Sequence, residues 1–298
     1  MAIIATKTVL SELSVGEAMR MQVIALPKSA SINNGIRSLI KFKINALLIS
    51  DHDEFPVGVV SKTDIMGAFY ANLPTDSPLE YIMVSPPLFC SQYDSLDSAL
   101  DTMRTNGVYR LYVSDGSSDA IVGVLAYPDI VGLLYQYCRN CEYGAVNKRK
   151  HKESDTVSRF QVKEVMTRTV TSFRENNTLS DIMEGLSAYR FGAVLITDGD
   201  NFPVGVVSKT DLILAYRHRV SQREKAGTIL STSRVLSCDE TDLIEDALKQ
   251  MIFTGVHRLF VHGNDAKNIV GVFSLSDAAR IRSGSCHACV TSRIRVDV

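Results

Sequence analysis

Apolar residues recur at helical spacing in Leu96, Ala99, Leu100 and Met103, and again in Leu179, Ile182, Met183 and Leu186, which predicts two amphipathic helices with one buried face each. Similar β-branched and apolar runs follow such helices at Ala46 to Ser50, Val108 to Val113, Val194 to Thr197 and Val256 to Val261. Each run leads through a polar turn into a second run centred on Val-Gly-Val, the pattern of two short strands joined by a turn. A Ser-x-x-Asp then opens another periodic apolar segment, such as Ile65, Phe69 and Tyr70, predicting a second helix. The unit reads strand, helix, strand, strand, helix over about 60 residues, too few to bury a sheet well, so units are expected to pair.

The pattern is repeated. Residues 44–64 and 191–211 match at 15 of 21 positions, and the units close on Asp64, Asp129, Asp211 and Asp277. Asp64 and Asp211 are 147 residues apart, and Asp129 and Asp277 are 148 apart. The order is therefore ABAB, the product of duplicating a pair of units. The longer middle gap holds a linker with the run Lys148-Arg149-Lys150-His151-Lys152 beside Glu153 and Asp155, the composition of a solvated connector.

Four units in register, each with a glycine-centred strand followed by an aspartate, in three of them through Ser-x-x-Asp, resemble tandem cystathionine β-synthase (CBS) domains over nearly the whole chain. The fourth, HRLFV followed by VGVFSLSD, is similar to the corresponding repeat in γ subunits of AMP-activated protein kinase. The resemblance implies an α+β fold of four β-α-β-β-α repeats, paired through their sheets into two CBS-pair modules packed as a pseudo-twofold disc. The modules would be residues 1–141, with repeats at about 13–72 and 79–137, and residues 162–298, with repeats at about 162–220 and 228–283. Residues 142–161 form the linker between them. It further implies a regulatory sensor that binds AMP, ADP or ATP in clefts between paired repeats and acts on a separate protein partner. Such modules can also form homodimers.

The motif residues suit this chemistry. An ionised aspartate offers acceptors to both the 2′ and 3′ hydroxyls of a ribose, which makes Asp64, Asp129, Asp211 and Asp277 the candidate ligand contacts. Ser61, Ser208 and Ser274, three residues earlier, are candidates for ribose or phosphate, and main-chain amides at a helix start favour an anion. Thr63, Thr210 and Ser276 stand beside the aspartates and join the candidate set. The second unit departs from the pattern, with Ala126 for the hydroxyl and Pro128 before Asp129. The alternative reading of Ser-x-x-Asp is a helix cap worth about 1 kcal/mol.

Phosphates also need cations. Aligning the units places Arg110 and Arg258 on the first long strand of the even units, where the odd units have Ala46 and Ala193. The odd units instead carry Lys43 and Arg190 opposite Gly107 and Gly255. His257 with Arg258 resembles the basic pair that the kinase-subunit family directs at phosphate, and an arginine can fork onto two phosphate oxygens. Lys62 and Lys209 are expected to face solvent. Apolar residues of the short strands, among them Val57 and Val204, would stack on the base.

The six cysteines also pair at a separation of 148 residues. Cys90 and Cys238 read as small buried hydrophobes. Cys138 and Cys141, with Cys286 and Cys289, form two C-x-x-C dyads that could together hold zinc or an iron–sulfur cluster, act as a redox pair, or be inherited residues without a site.

Composition narrows the remaining classes. Thirty-two basic against 33 acidic residues give a net charge of −1, which lacks the footprint of a dedicated nucleic-acid binder. No phosphate-binding P-loop, dinucleotide fingerprint, nucleophile elbow or His-Glu-x-x-His is present, so a non-catalytic protein is expected. The longest apolar stretch, residues 121–137, is broken by Pro128-Asp129 and is short of a membrane span. The opening residues lack a secretory pattern, and a cytoplasmic location is expected.

Overall fold

The computed structural model describes residues 13–52, 55–116, 120–140, 161–230 and 235–280. The predicted repeat is present four times. In repeat 1 a short helix α1 (Val15–Ala18) precedes β1 (Ala25–Pro27), α2 (Ile32–Lys41), β2 (Ala46–Ser50), β3 (Pro56–Ser61) and α3 (Lys62–Tyr70). Repeat 2 holds β4 (Phe89–Ser91), α4 (Leu96–Thr105), β5 (Arg110–Ser114), β6 (Ile121–Ala126) and α5 (Tyr127–Asn140). Repeat 3 holds β7 (Ser172–Arg174), α6 (Leu179–Ala188), β8 (Ala193–Thr197), β9 (Pro203–Ser208) and α7 (Lys209–Arg217). Repeat 4 holds β10 (Ser237–Asp239), α8 (Ile244–Thr254), β11 (Arg258–His262), β12 (Ile269–Ser274) and α9 (Leu275–Arg280).

Every repeat builds the same three-stranded sheet, its first strand parallel to the second and the second antiparallel to the third. The hairpin register shifts at the same place each time, for example between Ile49 and Ser50 and between Val261 and His262. Local chemistry sets the helix starts. Ser31, Ser95 and Thr178 accept hydrogen bonds from Asn34, Ser98 and Asp181 main-chain amides, satisfying donors that a helix end leaves open. Helix α8 ends on left-handed Gly255, φ 69°, and Gly107 holds the same conformation at φ 64°. Lys43 and Arg190 adopt it at 51° and 54°, so the four aligned positions share a backbone conformation that glycine takes without strain.

The chain divides into two compact units. One gathers residues 23–88 and 171–235, thus repeats 1 and 3, and the other gathers the remainder, with repeats 2 and 4. In the odd-repeat unit Ile36, Leu39, Ile65, Leu186 and Ile213 form one core, and Phe69 stacks on Tyr216 with ring centroids 5.0 Å apart. In the even-repeat unit Leu100, Met103, Leu248, Met251 and Phe273 do the same. The expectation that one repeat cannot bury its own sheet is met by helices that share a core between two repeats.

The central glycine of each Val-Gly-Val is where a segment from a neighbouring sequence repeat crosses the third strand. A Cβ on Gly123 would lie 2.7 Å from Met19 Sδ and 2.8 Å from the Arg20 carbonyl oxygen. On Gly58 it would meet Met83 Sδ at 2.9 Å, on Gly271 Met166 Sδ at 2.6 Å, and on Gly205 Leu230 at 2.8 Å. The crossing segments bond through main chain: Arg20 exchanges amide-to-carbonyl bonds with Val124 at 3.0 and 2.9 Å, and Val84 with Val59 and Thr167 with Val272 both ways at 2.9 Å. The residues opening one sequence repeat therefore finish the sheet of another. Among the described residues no helix is long and apolar enough to cross a membrane.

Candidate functional site

Each motif aspartate stands where the third strand turns into the closing helix. Asp64 Oδ2 accepts both the Ser61 amide and the Ser61 hydroxyl at 2.7 Å. Asp211 Oδ2 does the same from Ser208 at 2.8 and 2.6 Å, and Asp277 Oδ2 from Ser274 at 2.9 and 2.5 Å. The cap reading of Ser-x-x-Asp is thus realised, and it leaves a second oxygen. Among the described residues Oδ1 of Asp64, Asp211 and Asp277 takes no hydrogen bond. The two-oxygen ribose contact expected from sequence narrows to Oδ1, whose two lone pairs can accept two hydroxyls. The serine hydroxyls give their protons to the carboxylates, so in this arrangement they orient the aspartates. Ser276 approaches Ser274 Oγ at 2.8 Å and extends this cluster.

Burial raises the Asp64 carboxyl above its ordinary 3.8, against the lowering effects of the Ser61 hydroxyl and amide and of the Lys209 ammonium. A carboxyl raised on folding holds its proton more tightly in the folded state. The stability it contributes is complete below the unfolded value and is lost as pH rises through the folded one. Near neutrality the ionised Asp64 therefore costs stability that a ribose hydroxyl donor would offset. Asp64→Asn is expected to raise Tm at about pH 7, with the gain vanishing towards about pH 4, as thermal melts across that range would record.

The sheet register brings the even-repeat arginines to the motif. Arg258 at the start of β11 pairs with Ser274, and Arg110 at the start of β5 pairs with Ala126. Ala46 and Ala193 stand at the same register opposite Ser61 and Ser208. Burial pulls the Arg258 guanidinium below its usual value, partly countered by Tyr109 and Asp277. Arg110 is lowered for the same reason, with buried Tyr112 and Asp129 as countering neighbours and Arg20 adding to the lowering. Two desolvated guanidiniums beside carboxylates favour an anionic ligand that restores what burial removed. His257 is exposed, and its carbonyl accepts the Leu275 amide at 3.0 Å. Arg190 and Lys43 lie exposed where the first helices of their repeats end, and no hydrogen bond or ion pair joins Arg190 to the motif among the described residues. Val57 is half-buried and Val204 is 41% exposed, so both leave apolar surface uncovered.

Lys62 and Lys209, expected to face solvent, are half-buried and each holds a partner. Lys62 Nζ donates to Thr210 Oγ1 at 2.9 Å and Lys209 Nζ to Thr63 Oγ1 at 2.8 Å, a reciprocal pair joining the motifs of repeats 1 and 3. This juxtaposition depends on how two repeats pack and has no local sequence signal. Asp129 also differs from its counterparts: Oδ2 accepts the Ala126 amide at 2.8 Å, and Oδ1 meets Arg20 Nε at 2.8 Å. Arg20 escaped the sequence reading, although aligning VGEAMRM with VKEVMTR places it against Thr167.

Cys90 and Cys238 are buried as expected, and burial pushes both thiols up to about 12, which makes them inert at neutral pH. The Cys141, Cys286 and Cys289 positions and the Cys138 side chain lie outside the described residues. Among the described residues no group of three or more His, Cys, Asp or Glu is placed to hold a metal ion.

Comparison with known proteins agrees with this architecture. The uncharacterized protein MJ1225 of Methanocaldococcus jannaschii is 21% identical over 187 residues, 63% of this chain and 65% of that protein. The inosine-5'-monophosphate dehydrogenase of the same organism is 22% identical over 225 residues, 68% of this chain and 40% of the enzyme. The chain thus spans less than two thirds of either relative. The crystal structure of MJ1225, described as a candidate archaeal homologue of g-AMPK, superposes with a TM-score of 0.73 at 15% identity, covering 90% of this chain and 99% of that one. An uncharacterized conserved protein from Pyrococcus horikoshii gives 0.57 at 16% identity with the same coverage. The CBS domain model matches at residues 15–71, 79–136, 162–218 and 226–284, the four sheets and their closing aspartates described above, and the chain belongs to the CBS domain family.

Proposed function

We propose that this chain is a non-catalytic regulatory sensor that binds adenosine nucleotides at its motif aspartates and alters the behaviour of a separate protein partner. The observation that carries the reading is the repeated carboxylate. In repeats 1, 3 and 4 one oxygen is fixed by the cap and the other is left to accept, which suits a cis-diol. The register of Arg258 opposite Ser274 supplies a desolvated cation next to one such carboxylate, which suits a phosphate on the same ligand. Regulation follows if the nucleotide binds one arrangement of the protein better than another, since a ligand shifts an equilibrium only by its differential affinity.

Calorimetric titration with AMP, ADP, ATP and S-adenosylmethionine tests the reading, using the native chain and Asp64→Ala, Asp211→Ala and Asp277→Ala. Saturable binding is expected, with each substitution weakening one site by about 10- to 100-fold through loss of charge-assisted hydrogen bonds. No binding of any of the four at about 1 mM would overturn it.

A further inference from the structure

In the second repeat the motif carboxylate already has a partner. Three crossing segments place residues at equivalent positions, with the same pair of main-chain bonds to the third strand: Arg20 on Val124, Val84 on Val59 and Thr167 on Val272. The backbones agree and the side chains do not. Neither valine nor threonine is long enough to span to a motif aspartate, and the Oδ1 atoms of Asp64 and Asp277 take no hydrogen bond among the described residues. Arg20 is long enough, and its Nε meets Asp129 Oδ1 at 2.8 Å. The Asp129 side chain is 9% exposed, against 46% for Arg20, so the arginine arrives from the solvent side and closes over the carboxylate.

From this difference we infer that Arg20 acts as an internal substitute for the ribose hydroxyls at repeat 2, a specificity device that removes one of the four motif aspartates from nucleotide binding. The inference rests on the reading of the motif aspartates as ribose acceptors. Asp129 Oδ2 is held by the Ala126 amide and Oδ1 by a guanidinium, so no single oxygen there keeps both lone pairs for a cis-diol, and the arginine stands where its hydroxyls would approach. A nucleoside that displaced Arg20 would have to break an ion pair whose carboxylate is buried and whose arginine is half-exposed, which weakens binding by about 10-fold relative to an unpaired aspartate. The absence of a serine hydroxyl at Ala126 fits the same arrangement: the proton donor that orients the other aspartates is replaced by the arginine.

The test is the stoichiometry of AMP binding, measured calorimetrically on the full chain and on Arg20→Gln, Asp129→Asn and Asp277→Asn. The expected result is one additional AMP per chain in Arg20→Gln, no change in stoichiometry in Asp129→Asn, and loss of one AMP in Asp277→Asn. Unchanged stoichiometry in Arg20→Gln, with binding intact in the native chain, overturns the inference and leaves the sensor reading standing. Absence of AMP binding in every protein, the native chain included, overturns both. Should Arg20→Gln fail to fold, the Nε proton resonance of Arg20 in the native protein decides the matter. It is expected to stay unperturbed at saturating AMP, and displacement of that resonance by AMP overturns the inference.

Discussion

Replacing Phe273 by alanine is expected to lower the unfolding free energy by about 3–5 kcal/mol, the range for emptying a fully buried aromatic site. Phe273 is 0% exposed on β12, pairs in register with Leu259 and lies in the core shared by repeats 2 and 4. It is fully enclosed by the other buried side chains of that core, so the surroundings have little room to collapse into the vacated volume, and the effect belongs near the upper part of the range. Denaturant unfolding followed by circular dichroism would measure it. Phe253 on α8 is 73% exposed, and its change to alanine should move stability by less than about 0.5 kcal/mol. Equal effects at the two phenylalanines would contradict the assignment of the core.

A second large effect is expected at Gly123. Alanine there would set its methyl carbon 2.8 Å from the Arg20 carbonyl oxygen, a main-chain atom held by its own bond from the Val124 amide, and 2.7 Å from Met19 Sδ. The sulfur can swing away; the carbonyl cannot move without breaking the bridge. Loss of those bonds together with overpacking corresponds to about 2–4 kcal/mol. Because Arg20 leaves with its backbone, the ion pair to Asp129 should be lost as well. Hydrogen exchange at the Val124 amide would rise along with the fall in stability. Gly67→Ala in α3 is the matched control, since nothing lies within 4 Å of the added carbon, and it should be neutral or stabilising by up to about 1 kcal/mol.

Much of this molecule is legible from period and repetition. The alternation around Val-Gly-Val and the 3.6-residue spacing in Leu96 to Met103 are local signals that tertiary packing does not override, so strands and helices fall where the pattern puts them. The closing aspartates are legible for a related reason: a Ser-x-x-Asp at a strand end caps a helix whatever else it does. What the sequence hides is which surfaces meet. The reciprocal pairing of Lys62 with Thr210 and Lys209 with Thr63 joins residues 148 and 146 positions apart and exists only because α3 and α7 pack together. Grouping of repeat 1 with repeat 3 is hidden likewise, because every repeat carries a similar apolar helix face and nothing in periodicity selects its mate. Arg20 sits between these extremes. Its own segment carries no ligand motif, yet a glycine inside a strand signals close backbone approach, and Gly123 is the mark left on repeat 2 by the segment that delivers the arginine.

The crossing segments bear on how such a chain can evolve. The polypeptide passes between its compact units after residues 22, 88, 170 and 235, so each matched repeat, such as the stretch 79–136, begins in one unit and continues in the other. Copying one such stretch would add a sheet without the segment that covers its glycine, and a covering segment with no sheet to cover. Copying two consecutive stretches adds complete sets to both units at once. The 147-residue spacing of Asp64 and Asp211 is therefore the smallest increment by which this lineage could lengthen without leaving an open edge.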